Sequence, residues 1–282
     1  LCMLDKESLP NFRIGDSVIL YQRQSDADSA VTQQVLRCCV ESCEEGCIWL
    51  KLKNKQRNER VFDKNVKYAI EHDHVDANFK SLYRGLFSLV TCSQHRRGLL
   101  LCQREPDAEE IFLLVGPPGT GKTSVALKRM VEGHLQKEHD ILLLAYTNRA
   151  VDEICAMLST IEPQPQYIRI GREFSCAPDY RDNLLVNTLG KLSNRLEVIE
   201  KVKDTHIFVG TVASMNSHLA LFKLKHFQVA IFDEASQILE PHLLPILTSS
   251  SIDKIVMIGD HKQLPAVVVQ DESKSVVASP ML

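Results

Sequence analysis

The strongest constraint on this chain is an apolar run, Ile111-Phe112-Leu113-Leu114-Val115, that opens directly into Gly116-Pro117-Pro118-Gly119-Thr120-Gly121-Lys122-Thr123 and then into a helical pattern from Ser124 to Val131. Gly119 and Gly121 can adopt backbone angles closed to other residues, so successive N–H groups can turn inward on an anion. The helix behind them adds the positive end of its dipole. Lys122 suits the β- and γ-phosphates of a nucleotide as a point charge, and the Thr123 hydroxyl suits Mg²⁺. The pattern therefore predicts a phosphate-binding loop formed by Gly116, Pro117, Pro118, Gly119, Thr120, Gly121, Lys122, Thr123 and Ser124, set between a buried parallel strand and a helix.

A length of 282 residues is a prior for about two domains, and 44% hydrophobic with 24% charged residues allows a sizeable buried core. The net charge of -3 excludes a globally basic nucleic-acid-binding body, so any such surface must be a local patch. Nine cysteines in no evident framework, behind no secretory signal, lead us to expect a reducing intracellular compartment, cytoplasmic or nuclear. No apolar run reaches the roughly 18 to 20 residues that span a bilayer, so the expectation is a soluble, monomeric protein without a membrane partner. The chain starts at Leu1 and stops soon after a strand-like segment, and both ends are expected to be cut.

From Phe12 to about Phe62, short alternating runs broken by polar turns predict antiparallel strands, most simply a small β-barrel over 1–70. Lys51, Lys53, Lys55, Arg57 and Arg60 form a basic string that suits either a phosphate backbone or a solvated strand face. Cys38, Cys39, Cys43 and Cys47 invite a zinc site. Adjacent Cys38 and Cys39 point to opposite faces of a strand, however, which argues against one. The Glu71-His72-Asp73-His74-Val75-Asp76 cluster reads as a strand end and a helix cap. The helix that follows carries Phe79, Leu82, Leu86 and Leu89 on one face and belongs to a helical stalk over 71–105. Ser93-Gln94 and Gln103-Arg104 precede the loop; an amide such as that of Gln94 can read an adenine edge, or can simply lie on the surface.

Beyond the loop, near-continuous apolar strands alternate with helices, which predicts a parallel sheet covered on both faces over 106–282, interrupted by a polar segment at about 172–204. The strand Val229 to Phe232 ends in Asp233-Glu234, and strand C-termini are where ligands gather in open α/β sheets. Asp233 is expected to hold Mg²⁺ with Thr123, and Glu234 to orient or deprotonate a water. Gln263, after Gly259-Asp260-His261-Lys262, offers a neutral amide that can sense the terminal phosphate.

The phosphate loop, Thr147-Asn148-Arg149-Ala150-Val151-Asp152, Asp233-Glu234-Ala235-Ser236-Gln237 and Gly259-Asp260-His261-Lys262-Gln263-Leu264-Pro265 stand in this order. The set resembles superfamily 1 helicases, and within them subgroup B, from about Ser93 onward. The resemblance implies a RecA-like first lobe, ATP with Mg²⁺, 5′-to-3′ movement on single-stranded DNA or RNA, and an adenine-reading role for Gln94. It implies catalytic roles for Lys122, Asp233, Glu234 and Gln263. It also assigns the strand backbone to Thr147 and Asn148 and to the Gly210-Thr211-Val212-Ala213-Ser214 stretch, within which Thr211, Val212 and Ser214 are the candidates. Family members carry a second RecA-like lobe whose arginines reach the γ-phosphate, and no arginine follows Arg195 here. The expectation is a first lobe that turns ATP over slowly by itself. The alternatives are a nucleotide-gated clamp that binds nucleic acid or a protein without unwinding, and a ring-forming chaperone-type ATPase. The stretch Gly259 to Pro265 argues against the last.

Overall fold

The computed structural model describes residues 2–3, 12, 14–44, 47–53, 66–73, 77–107, 109–117, 119–260 and 262. They divide into two compact units, Leu1–Asp76 and Ala77–Leu282.

The first unit is an antiparallel sheet of β1 (Cys2–Met3), β2 (Ser17–Gln22), β3 (Leu36–Glu44), β4 (Cys47–Leu52) and β5 (Tyr68–His72), in the order β1-β4-β3-β2-β5. Alternation sends Val18, Leu20, Cys38, Val40 and Ile48 inward. Among the described residues no ladder joins β1 to β5, so closure of the expected barrel is not part of the described pairing. Cys38 is buried, whereas Cys39 next to it donates its thiol to the Gly15 carbonyl (3.4 Å). Lys51 pairs across the strands with Glu41 at 3.8 Å, and Lys53 donates to the Ser17 hydroxyl. Both lie on an ordinary solvated face; Lys55, Arg57 and Arg60 lie outside the described residues, as do His74 and Asp76.

The second unit is a six-stranded, wholly parallel sheet in the order β6-β11-β10-β7-β9-β8. Its strands are β6 (Ile111–Val115), β7 (Ile141–Ala145), β8 (Tyr167–Ile170), β9 (Ile207–Thr211), β10 (Phe227–Asp233) and β11 (Ile252–Gly259). Its helices are α1 (Ala77–Thr91), α2 (Gln94–Leu100), α3 (Lys128–Leu135), α4 (Asn148–Leu158), α5 (Leu185–Leu189), α6 (Arg195–Asp204), α7 (Val212–Asn216) and α8 (Glu240–Leu247). Alternate residues of each strand face opposite helical layers. Ile141, Leu143 and Ala145 join Val131, Val151 and Ile154 on one side. Leu142 and Leu144 join Val212, Met215, Leu243 and Ile246 on the other. Each such fully buried aliphatic side chain is worth about 1.5–3 kcal/mol relative to exposure, which explains why these strands read as unbroken apolar runs.

Two sequence expectations change. The run Ile111 to Val115 is a parallel strand but not a buried one. Among the described residues β6 pairs with β11 alone, and Phe112, Leu113 and Val115 are 42%, 50% and 53% exposed. On α1 the inward face is centred on Gly85 rather than Leu86, which is 48% exposed. Lacking a side chain, Gly85 lets α1 close on α8. A Cβ there would stand 2.7 Å from Pro245 Cδ.

A proline ring cannot move aside as a flexible side chain can, so Gly85→Ala should destabilise the protein by about 1–3 kcal/mol, read as a lower urea midpoint at unchanged slope. Gly133→Ala, in α3 with nothing within 4 Å of the added methyl, should instead gain about 0.5–1 kcal/mol from helix propensity.

Candidate nucleotide and strand-contact site

The loop that leaves β6 turns as its glycines demand: Gly119 and Gly121 take φ of 76° and 78°, in the left-handed region costly for any residue with a Cβ. Lys122 Nζ donates to the carbonyls of Gly116 (2.5 Å) and Pro117 (2.9 Å), and Thr120 Oγ1 donates to Pro117 O (2.7 Å). The ammonium therefore lies inside the curve of the loop. Wide, π-type turns over Lys122–Leu127 lead into α3. Ser124 is exposed beside them, and Pro118 lies outside the described residues.

Strand order brings the carboxylates to this loop. β11 lies between β6 and β10, so three strand tips stand side by side. Thr123 Oγ1 donates to Asp233 Oδ2 at 2.7 Å. Asp233 is 3% exposed, and burial holds its carboxyl above the ordinary carboxylate range against the hydrogen bonds from Thr123 and the Glu234 amide. A hydroxyl and a carboxylate in contact are hard oxygen donors, the chemistry Mg²⁺ requires. Glu234 turns back through a left-handed backbone angle (φ 54°) and is half-buried. Burial and then the neighbouring Asp233 raise its carboxyl as well. The middle tip is tied to both flanks, because the Gly116 amide donates to Gly259 O (3.2 Å) and the Asp260 amide to Ser236 Oγ (3.4 Å). Gln263, the expected phosphate sensor, lies outside the described residues.

The tips of β7 and β9 continue the row. Ala145 pairs with Asp233 on one side and with Thr211 on the other. Each strand runs into a threonine that caps the next helix: Thr147 Oγ1 accepts from the Ala150 amide and Thr211 Oγ1 from the Ser214 amide. Asn148 is exposed and Ser214 half-buried, so both are open to a ligand. Thr211 and Val212 are 5% and 2% exposed. Thr211 caps the turn and Val212 packs into the core, while Ala213 beside them is exposed.

Gln94 is not brought to the phosphate loop. Ser93 caps α2, and His95 Nε2 pairs with Glu110 (2.7 Å) at the start of β6. The loop lies at the far end of that strand, roughly 15 Å on. Arg104 grips both oxygens of Glu110 (2.6 and 2.8 Å) and holds that carboxyl down to about 2. Sequence reading passed over Arg149 and Glu153. They pair on α4 at 3.4 Å, and their charges act on Glu234 and, for Glu153, on Asp233 as well. The signal was their spacing of one helical turn directly after Asn148.

A parallel sheet whose glycine loop and acidic strand tip flank an intervening strand defines the lobe as a P-loop NTPase. A family model described as an AAA domain matches residues 93–197 and 186–271. The DNA replication ATP-dependent helicase/nuclease DNA2 of Saccharomyces cerevisiae is 30% identical over 167 residues, 59% of this chain and 10% of the relative. Its namesake from Mus musculus is 32% identical over 180 residues, 62% of this chain and 16% of the relative. The DNA replication ATP-dependent helicase/nuclease JHS1 of Arabidopsis thaliana is 32% identical over 168 residues, 59% and 12%. The chain belongs to this AAA-domain family, and the match together with these relatives supports a relationship to the superfamily 1 helicases. It spans only 10%, 16% and 12% of the length of these relatives. Among the described residues no helix is long and apolar enough to cross a membrane.

A carboxyl raised by burial costs stability once ionised. The cost is absent below its unfolded-state pKa and complete above its folded-state value. Asp233→Asn, measured without nucleotide or Mg²⁺, should therefore unfold at a higher temperature than the parent at pH 7, a gain of about 0.5–2 kcal/mol. The advantage should shrink to nothing as pH falls below the ordinary value of 3.8.

Proposed function

We propose that this chain is the first ATPase lobe, with its accessory domain, of a superfamily 1 subgroup B helicase or translocase. ATP hydrolysis on this lobe drives movement along single-stranded DNA or RNA, from 5′ to 3′. The observation that carries the reading is the contact of Thr123 Oγ1 with Asp233 Oδ2 at 2.7 Å, which joins the two halves of a nucleotide site across an intervening strand. The relatives are named as DNA replication enzymes, which makes DNA the first strand to test.

In this reading the loop amides of Gly116 to Thr123 receive the phosphates, and Lys122 exchanges its two carbonyl partners for β- and γ-phosphate oxygens. Thr123 and Asp233 hold Mg²⁺, which when bound neutralises charge developing on the phosphoryl group. Glu234 orients the attacking water and takes its proton; its raised pKa moves it toward the pH at which a carboxylate is an effective base. Gln263, four residues after the end of β11 in sequence, would sense the terminal phosphate. Thr147, Asn148 and Ser214, on turns that Thr211 and Val212 shape from behind, contact the strand through groups that bind phosphate without reading sequence.

An arginine reaching across from a second lobe is worth about 10³ to 10⁵ in turnover in related phosphoryl-transfer enzymes, so this chain by itself is proposed to hydrolyse ATP slowly. Lys122→Ala should abolish nucleotide binding, measured with a fluorescent ATP analogue. Glu234→Gln should bind it as the parent does and lose hydrolysis. Residual turnover in the parent should rise on adding oligo-dT or poly-U. Nucleotide-dependent strand binding without any turnover would make the protein a clamp, and a Glu234→Gln protein that hydrolyses at the parent rate would remove the base from its role.

A further inference from the structure

The C-terminal edge of the sheet does not end at Thr211. β8 is the next strand, with Ile170 opposite Gly210, so the chain leaving β8 at Gly171 lies beside the turn that carries Ser214. Here a single helical turn, Glu173–Ser175, lifts Phe174 into solvent at 55% exposure, and the Arg172 guanidinium lies 5.8 Å from the ring centroid. Burial does not account for that ring, yet the backbone on either side of it is pinned. Arg169, 1% exposed, pairs with Asp152 of α4 and donates to the Ser175 carbonyl (3.4 Å). The Ala177 amide donates to Asp152 (3.3 Å), the Ser175 amide to Arg172 O, and Arg181 pairs with Glu173 (3.9 Å). The loop is thereby fastened to the helix capped by Thr147.

We infer that Phe174 is a stacking platform for a base of a bound single strand, with Arg172 beside it for the adjoining phosphate. The inference rests on the strand-binding reading above and extends it by one strand of the sheet. The tip of β8 lies two strand spacings, about 10 Å, from that of β7. A strand crossing Thr147 and Ser214 covers this in about three nucleotides at the stacked rise of roughly 3.4 Å. An aromatic face takes any base, and a neighbouring arginine adds cation–π attraction and a phosphate contact.

The test is fluorescence anisotropy of the full 282-residue chain with labelled oligo-dT and with an abasic strand of equal length, over a range of salt. Phe174→Ala should weaken oligo-dT binding about five- to 150-fold, leave abasic binding and the salt slope as in the parent, and leave the melting temperature within error. Arg172→Ala should reduce the salt slope by about 0.7. Phe174→Trp should restore affinity, with its emission quenched by oligo-dT. Parent-like oligo-dT binding by Phe174→Ala overturns the platform and leaves strand binding intact. Failure of the parent to bind any single strand overturns the functional reading and the platform together.

Discussion

The hydrogen bond between Thr123 and Asp233 spans two strand positions, and the architecture of the second unit follows from making it possible. The threonine comes from a loop fixed by two left-handed glycines, the aspartate from a strand buried on both faces. Neither partner can drift, because β11 is hydrogen-bonded to the strands on both sides. Two apolar layers above and below the sheet supply the stability that such a site consumes. The buried carboxyl is held above its ordinary range, so the candidate site is also a place where the fold is strained electrostatically.

The same sheet edge carries a second line of polar groups. Helix caps at Thr147 and Thr211 follow directly from strands that pair with one another, and β7 pairs in turn with β10. Arg149 and Glu153 stand where the two lines meet, so a charge arriving at α4 is felt at Glu234. The buried Arg169–Asp152 pair extends this rigid connection to the β8 loop. Breaking such a pair would strand a charge in the core.

Much of this was legible in the residues. Periodicity gave the layered parallel sheet, the glycine spacing gave the left-handed turn of the loop, and the apolar run before Asp233-Glu234 gave the strand that brings Asp233 to Thr123. What the residues did not disclose was strand order. An unbroken apolar run such as Ile111 to Val115 fits a central or an edge strand equally, and only pairing decides. Gly85 escaped notice because a residue without a side chain carries no hydrophobic signal even when it makes the closest helix contact. The expectation for Gln94 rests on its amide and on the family resemblance, neither of which reports that the His95–Glu110–Arg104 cluster holds the start of α2 near the beginning of β6. The motif resemblance at Thr211 and Val212 says nothing of burial, and the turn they build holds both inside.

The double tether of β11 has a mechanical consequence. One backbone bond joins its last residue to the phosphate loop, and the following amide donates to the Ser236 side-chain hydroxyl behind the acidic pair. Phosphate loop and acidic tip are thus held in one hydrogen-bonded row, with β11 as the common member.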